Sequence, residues 1–296
     1  MAAKKNTLTA ELPGLETPAV GPTGRLRRIF PEPKPLNGHG PARIIALCNQ
    51  KGGVGKTTTT INLGASLAEC GRKVLAVDFD PQGALSAGLG VPTHDVPNIY
   101  DLLLGTIKDP HEAIQKTTVP NLDVIPANID LSAAEVHLVN EVAREQILSR
   151  VLRGVKDDYD VILIDCQPSL GILTVNALTA AHGVLIPLEC EFFALRGVAL
   201  LVETIEKVRD RLNPAIELDG ILATMFDSRT LHAREVLDRV VETFGEKVFE
   251  TVIGRTVKFP DASVAGAPIT TFAPDHPAAR AYRQMARELI FRSAVA

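Results

Sequence analysis

A short apolar run, Ile44-Ile-Ala-Leu-Cys48, leads straight into Asn49-Gln-Lys51-Gly52-Gly53-Val54-Gly55-Lys56-Thr57-Thr58, and a helix-period segment follows over residues 57–70. No other feature of the 296 residues limits the fold as strongly. A strand, a tight turn and a helix N-terminus in that order aim backbone N–H groups and the helix dipole at one point, which makes a phosphate site. Glycines are needed there because a Cβ would hold the backbone away from the anion. On this reading the loop Gly52, Gly53, Val54 and Gly55, with the first helical residues Thr57 and Thr58, surrounds the phosphates. Lys56 reaches the β and γ phosphates as a point charge, and the Thr57 hydroxyl ligates Mg²⁺.

The rest of the chain repeats the same alternation. The runs at 44–48, 74–77, 122–125, 161–164, 184–186 and 221–223 are short and continuously apolar, as strands covered on both faces are. Helix-period segments separate them, among them residues 57–70, stopped by Gly71, and residues 132–151, stopped by Gly154. The pattern predicts an α/β fold, a mostly parallel twisted sheet with helices on both faces, in a single domain over residues 42–296. Ahead of it, residues 1–41 are rich in Pro and Gly without apolar period and are expected to form a flexible, disordered arm. Residues 1–43 hold seven basic side chains, Arg25, Arg27 and Arg28 among them, against three acidic ones, so contact with nucleic acid or a partner is the alternative to a solvated tail.

Composition removes several classes. The net charge of −4 excludes a polycation, and the absence of Trp with only three Tyr argues against a base-stacking surface for single strands. The four cysteines form no C-x-x-C pair and read as small hydrophobes. No apolar run reaches the ~18 residues that span a bilayer, and the expected location is cytoplasmic.

The glycine loop departs from G-x-x-x-x-G-K-[ST] in having Gln50 where glycine is standard and a second lysine, Lys51, at its front. This stretch resembles the deviant Walker A motif of the ParA/MinD family of P-loop ATPases. The resemblance implies that Lys51 crosses a dimer interface and neutralises transition-state charge on the partner's nucleotide, as an arginine finger does. Two acidic strand ends, Val77-Asp78-Phe79-Asp80-Pro81-Gln82-Gly83 and Val161-Ile-Leu-Ile-Asp165, resemble the family's further motifs. By that likeness Asp80 orients the attacking water, Asp165 holds the Mg²⁺ shell together with Thr57 and Asp80, and Asp78 supports the loop.

The resemblance to ParA/Soj-type partitioning ATPases runs from residue 43 to residue 290. It takes in Asp165-Cys-Gln-Pro-Ser-Leu-Gly171, Pro187-Leu-Glu-Cys-Glu-Phe-Phe-Ala-Leu195 and Met225-Phe-Asp-Ser-Arg229-Thr230. It implies ATP and Mg²⁺ as cofactors, an ATP-bound homodimer, non-specific double-stranded DNA as ligand, slow hydrolysis and a ParB-type activating partner. Departures are Ala84 for the family's Asn, Gln167 for Pro, and Ile253-Gly254-Arg255-Thr256-Val257-Lys258 for Ile-Pro-Arg-Asn-x-Arg. Gly254 and Thr256 then stand where adenine contacts are expected, and Arg229 and Lys258 where DNA phosphates would be met. Between residues 227 and 258, six basic residues face six acidic ones, so a solvated mixed face competes with DNA binding. A MinD-like membrane-associated regulator is the alternative, needing a free amphipathic C-terminal helix; with alanine-rich residues 278–296 expected to pack on the fold, no stable membrane association is expected. Iron–sulfur carriers that share the loop would need paired exposed cysteines.

Overall fold

Strand residues alternate between two buried faces, and that alternation builds the molecule. The computed structural model describes residues 20–191 and 194–293. In chain order the elements are β1 (Arg43–Leu47), α1 (Lys56–Glu69), β2 (Val74–Phe79), α2 (Ala84–Gly88), α3 (Ile99–Leu104), β3 (Gln115–Lys116), β4 (Leu122–Ile125), α4 (Leu131–His137) and α5 (Ile147–Leu152). Then come β5 (Val161–Cys166), α6 (Ile172–Ala180), β6 (Gly183–Glu189), α7 (Ala194–Arg211), β7 (Glu217–Thr224), α8 (Leu231–Phe244), α9 (Lys258–Val264), α10 (Ile269–Phe272) and α11 (Pro277–Ser293). The sheet order is β3-β4-β2-β5-β1-β6-β7, and only β3 runs antiparallel. Ile44, Ala46, Leu75, Val77, Ile162 and Ile164 face one apolar core; Ile45, Leu47, Val74, Ala76, Val161 and Leu163 face the other.

All six expected strands are present, and the fold class is the expected one. The helix after the glycine loop is also in place and ends as its sequence requires: Gly71 takes φ +76°, its N–H donates to Ala68 O at 2.9 Å, and Arg72 N–H donates to Leu67 O at 3.1 Å. The strand β3 was not foreseen, because two residues at a sheet edge carry no period.

Two expectations are corrected. The helix expected over 132–151 is broken into α4 and α5, with 3-10 turns between them and Ala143 in the left-handed region at φ 53°. Tertiary partners replace the missing helical bonds: Asn176 Oδ1 accepts from Leu148 N at 3.1 Å and Asn176 Nδ2 donates to Arg144 O at 2.8 Å. Nor does Gly154 stop the segment by a left-handed turn; a Cβ there would stand 2.8 Å from Pro110 Cγ.

Over residues 20–41 the segment expected as an arm is a strap laid on the domain. Arg25 donates to Val248 O (3.1 Å) and Gly245 O (2.8 Å), and Arg28 pairs with Glu250 at 3.2 Å. Phe30 is 4% exposed and tilts against Phe291, the ring centroids 5.5 Å apart. Arg72 donates to Lys34 O at 2.9 Å, and Asp160 receives both His39 Nδ1 (2.8 Å) and Gly40 N (3.0 Å). The prolines do deny this stretch a helix or strand, but side-chain anchors spaced along an extended chain hold it without one. Residues 1–19 of the expected arm lie outside the described residues.

Against α1 lies α11, which buries Ala278, Ala279, Tyr282, Met285, Ala286 and Leu289. No helix among the described residues is long and apolar enough to cross a membrane.

Candidate functional site

The loop after β1 sits at the carboxyl edge of the sheet, flanked by β5 and β6, where parallel α/β sheets place their ligands. Its shape requires two of its glycines: Gly53 takes φ +76° and Gly55, the residue before α1, takes φ +85°. Neighbouring strand ends hold it from outside. Thr224 Oγ1 donates to Val54 O at 2.8 Å, Asn49 Nδ2 donates to Pro187 O at 2.8 Å, and Asn49 Oδ1 accepts from Lys51 N at 3.0 Å. Nothing in the spacing of Asn49 or Thr224 marks them as loop supports, since both act across strand ends far apart in sequence.

The two lysines of the loop have opposite placements. Lys56 is 6% exposed and its Nζ donates to Lys51 O at 3.2 Å, closing the loop on itself. Burial draws its ammonium below the ordinary value, opposed by the negative charge of Asp165 and Asp80. Lys51 instead leaves 46% of its side chain exposed and pairs with Glu189 at 3.0 Å and Glu191 at 2.5 Å. Desolvation works against its charge, but the two carboxylates outweigh it and hold its ammonium above the ordinary value.

Acidic residues face the loop from β2 and β5, where Asp78 and Asp165 lie side by side in register. Both are fully buried. Asp78 accepts from Ser86 N (2.9 Å) and Ser86 Oγ (2.6 Å), and Ser86 Oγ in turn accepts from Ala127 N at 3.2 Å. Desolvation raises Asp78 to about 7 despite the hydrogen bonds from Ser86. Asp165 is pushed up to about 8, first by desolvation and then by the Asp78 charge, with Thr57 and Lys56 opposing. Its Oδ1 accepts from Thr60 Oγ1 at 3.3 Å, while its buried Oδ2 has no hydrogen-bond partner. Asp80 is half-buried and fixes its own loop by accepting from Gln82 N at 3.0 Å.

An orphaned carboxylate oxygen beside a hydroxyl and a buried ammonium suits a hard divalent cation bridging to phosphate oxygens. Among the described residues no three His, Cys, Asp or Glu side chains converge to cage a metal by themselves. That fits Mg²⁺, which keeps waters and takes phosphate oxygens in place of a full protein shell. Thr57, Asp165 and Asp80 are the oxygen donors available to it.

Beside the loop opens a cavity of about 280 Å³, with Gly55, Thr58 and Thr224 on the loop side and, beyond, apolar residues such as Ile253, Phe259 and Tyr282 together with Thr256, Ser263 and Arg255. Its wall is mostly apolar, with Phe259 edge-on to Tyr282 at 5.8 Å between centroids. It has the character of a slot for a flat heteroaromatic base. Thr256 lines it. Gly254 does not; its backbone pairs with Phe226 instead. Phe259 and Tyr282 were missed in the sequence, because an aromatic on a helix reads as core until its neighbours are known.

Arg229 and Lys258, expected to meet DNA, are both engaged within the chain. Arg229 keeps 88% of its side chain exposed and binds Asp227 through two nitrogens, at 2.9 and 2.7 Å. Lys258 pairs with Asp261 at 3.1 Å and stands 6.0 Å over the Phe272 ring. Cys48, Cys166 and Cys190 are buried, Cys70 is half-buried, and all four are free thiols.

Fold and site together define a P-loop nucleotide-binding α/β protein. The pattern of the family described as AAA domain (AAA_31) matches residues 42–218. An uncharacterized protein of Mycobacterium tuberculosis is 60% identical over 92% of this chain and 86% of its own length. The chromosome-partitioning ATPase Soj of Treponema pallidum is 50% identical over 84% of this chain and 98% of its own. The chain belongs to this family, among its ParA/Soj chromosome-partitioning ATPases. Among solved structures, one described as cobyrinic acid a,c-diamide synthase from Mycobacterium smegmatis, with bound ADP and magnesium, superposes with a TM-score of 0.72. It is 42% identical and covers 83% of this chain and 92% of that one.

Proposed function

We propose that this protein is a cytoplasmic Mg²⁺-dependent ATPase that works as a dimerising switch in chromosome or plasmid partitioning. ATP binds with its phosphates on the loop 51–58 and its base in the cavity at Thr256, and ATP joins two copies. Thr57, Asp80 and Asp165 serve the Mg²⁺ shell, Asp80 also orients the attacking water, and Lys51 serves the partner's nucleotide. Slow hydrolysis, stimulated by a ParB-type protein, then releases the pair.

The observation that carries this reading is the division of labour between the lysines. Lys56 is buried beneath the loop, where a cis contact with phosphate needs it; Lys51 is half-exposed and held by Glu189 and Glu191, which it would leave to serve a second molecule's nucleotide. Lys51→Ala is therefore expected to leave ATP affinity within about twofold of the parent, since an exposed ion pair contributes little to the loop itself. The same variant should stay monomeric at concentrations where the parent dimerises with a non-hydrolysable ATP analogue. Size-exclusion chromatography with light scattering reads this directly, and a dimer of undiminished stability would return Lys51 to the surface charges.

The dimer is proposed to bind double-stranded DNA without sequence preference through phosphate contacts at Arg229 and Lys258. Each must exchange an intramolecular carboxylate for a phosphate, so the affinity rests on counterion release and falls steeply with salt. For the Arg229→Ala, Lys258→Ala double variant, the slope of log affinity against log salt should become shallower by about two contacts' worth per protomer. An unchanged slope would place the DNA surface elsewhere. The MinD-like alternative needs a free amphipathic helix, and α11 has already committed its apolar face to α1.

A further inference from the structure

We infer that Glu288 is a positioning residue for the base cavity, holding the lip on which Ile253 and Thr256 stand. The inference rests on reading that cavity as the place of the nucleotide base.

The lip, residues 253–256, continues an extended segment, residues 248–254, that runs beside β7. Its inner side is tied to the sheet: Phe249 N donates to Ile221 O and Ile253 N to Ala223 O, both at 2.9 Å. Glu250 N and Thr251 N face the other way, toward α11, and strand pairing cannot satisfy them. Both end on the one carboxylate of Glu288, Glu250 N on Oε1 at 2.7 Å and Thr251 N on Oε2 at 2.9 Å. Glu288 is completely buried, and its charge is met by Arg292 at 2.6 Å. Arg292 in turn donates to Glu246 O (2.6 Å) and Val248 O (3.0 Å), with its guanidinium 4.4 Å from the centre of the Phe249 ring.

A charged carboxylate accepting two backbone N–H groups out of reach of water is strongly directional, and each donor is costly to leave unpaired. The same rigid helix supplies Tyr282 to the cavity wall, anchored to α1 by a 3.2 Å hydrogen bond with Thr59. So α11 provides one wall of the cavity and, six residues further along, fixes the segment that forms its lip. The phosphate loop is held by other groups, Asn49 and Thr224, and meets the lip through Glu189, whose carboxylate pairs with both Lys51 (3.0 Å) and Arg255 (2.8 Å) and not with Glu288. Glu288 should thus govern the part of the affinity that comes from the base and ribose, and leave the part from the phosphates alone.

The test compares ATP with inorganic tripolyphosphate, both with Mg²⁺, by calorimetry on the full chain. Glu288→Gln keeps the shape but turns an amide N–H₂ toward a backbone N–H; Glu288→Asp keeps the charge on a shorter stem. The parent should bind ATP more tightly than tripolyphosphate. Glu288→Gln should lose about tenfold in ATP affinity with tripolyphosphate unchanged, and Glu288→Asp should recover part of the loss. A folded Glu288→Gln with the parent's ratio, or an equal loss for both ligands, overturns the inference. Equal affinities in the parent would remove the cavity reading itself, and the inference with it.

Discussion

Lys56→Ala is expected to abolish nucleotide binding, with a loss on the order of a hundredfold or more in ATP affinity by calorimetry. The site contains Asp78, Asp80 and Asp165, and a triphosphate brings further negative charge to the same edge. Lys56 is the buried cation among them, and its ammonium is already drawn toward Asp165 and Asp80. Removing it deletes the attractive partner and leaves the carboxylates facing phosphate in a medium of low effective dielectric, where each repulsion counts for more than in water. Thermal unfolding without nucleotide should change little, because the side chain's one hydrogen bond among the described residues, to Lys51 O, closes an exposed loop. Retained ATP affinity in a folded variant would refute the phosphate-loop assignment.

Asp165→Asn is expected to separate activity from stability. Hydrolysis should fall on the order of a hundredfold or more, since the amide cannot support the Mg²⁺ shell as a carboxylate does. The nucleotide-free protein should meanwhile become more stable at pH 8. Asp165 rises to about 8 in the fold, against about 3.9 for an unfolded aspartate, so between those values the native state binds a proton that the unfolded state has released. Stability then falls as pH rises from about 4 to about 8, and a neutral side chain removes that loss. The gain in thermal midpoint should be absent near pH 4, grow with pH and level off above about 8. A midpoint at pH 8 below that of the parent would show that the Asp165 charge is compensated in the native state.

Several features were legible because their physics is local. Continuous apolar runs announced six strands, since a strand buried on both faces has no polar side to show. The glycine loop announced itself because φ +76° and +85° at Gly53 and Gly55 leave few residue types to choose from. What stayed hidden depends on groups distant in sequence. Ala143 breaks a segment of good helical period because Asn176, on another helix, satisfies the freed backbone. The strap over residues 20–41 reads as solvated coil because its anchors, Glu250, Val248 and Asp160, lie more than a hundred residues away. Glu288 reads as one more charge on an amphipathic helix; only the fold reveals that it is entirely buried.

Phe30 on the strap and Phe291 near the end of α11 meet beside Arg43, Glu217 and Asp219, where β1 and β7 begin. The loop that carries Lys51 lies past the other end of β1, about 16 Å away at the rise of a five-residue strand. A fluorescent reporter or a surface tether joined to the end of α11 would start from the side of the sheet turned away from the ligand. Two labelled molecules could still bring their opposite rims together, which makes the end of α11 a usable handle for watching association in a living cell.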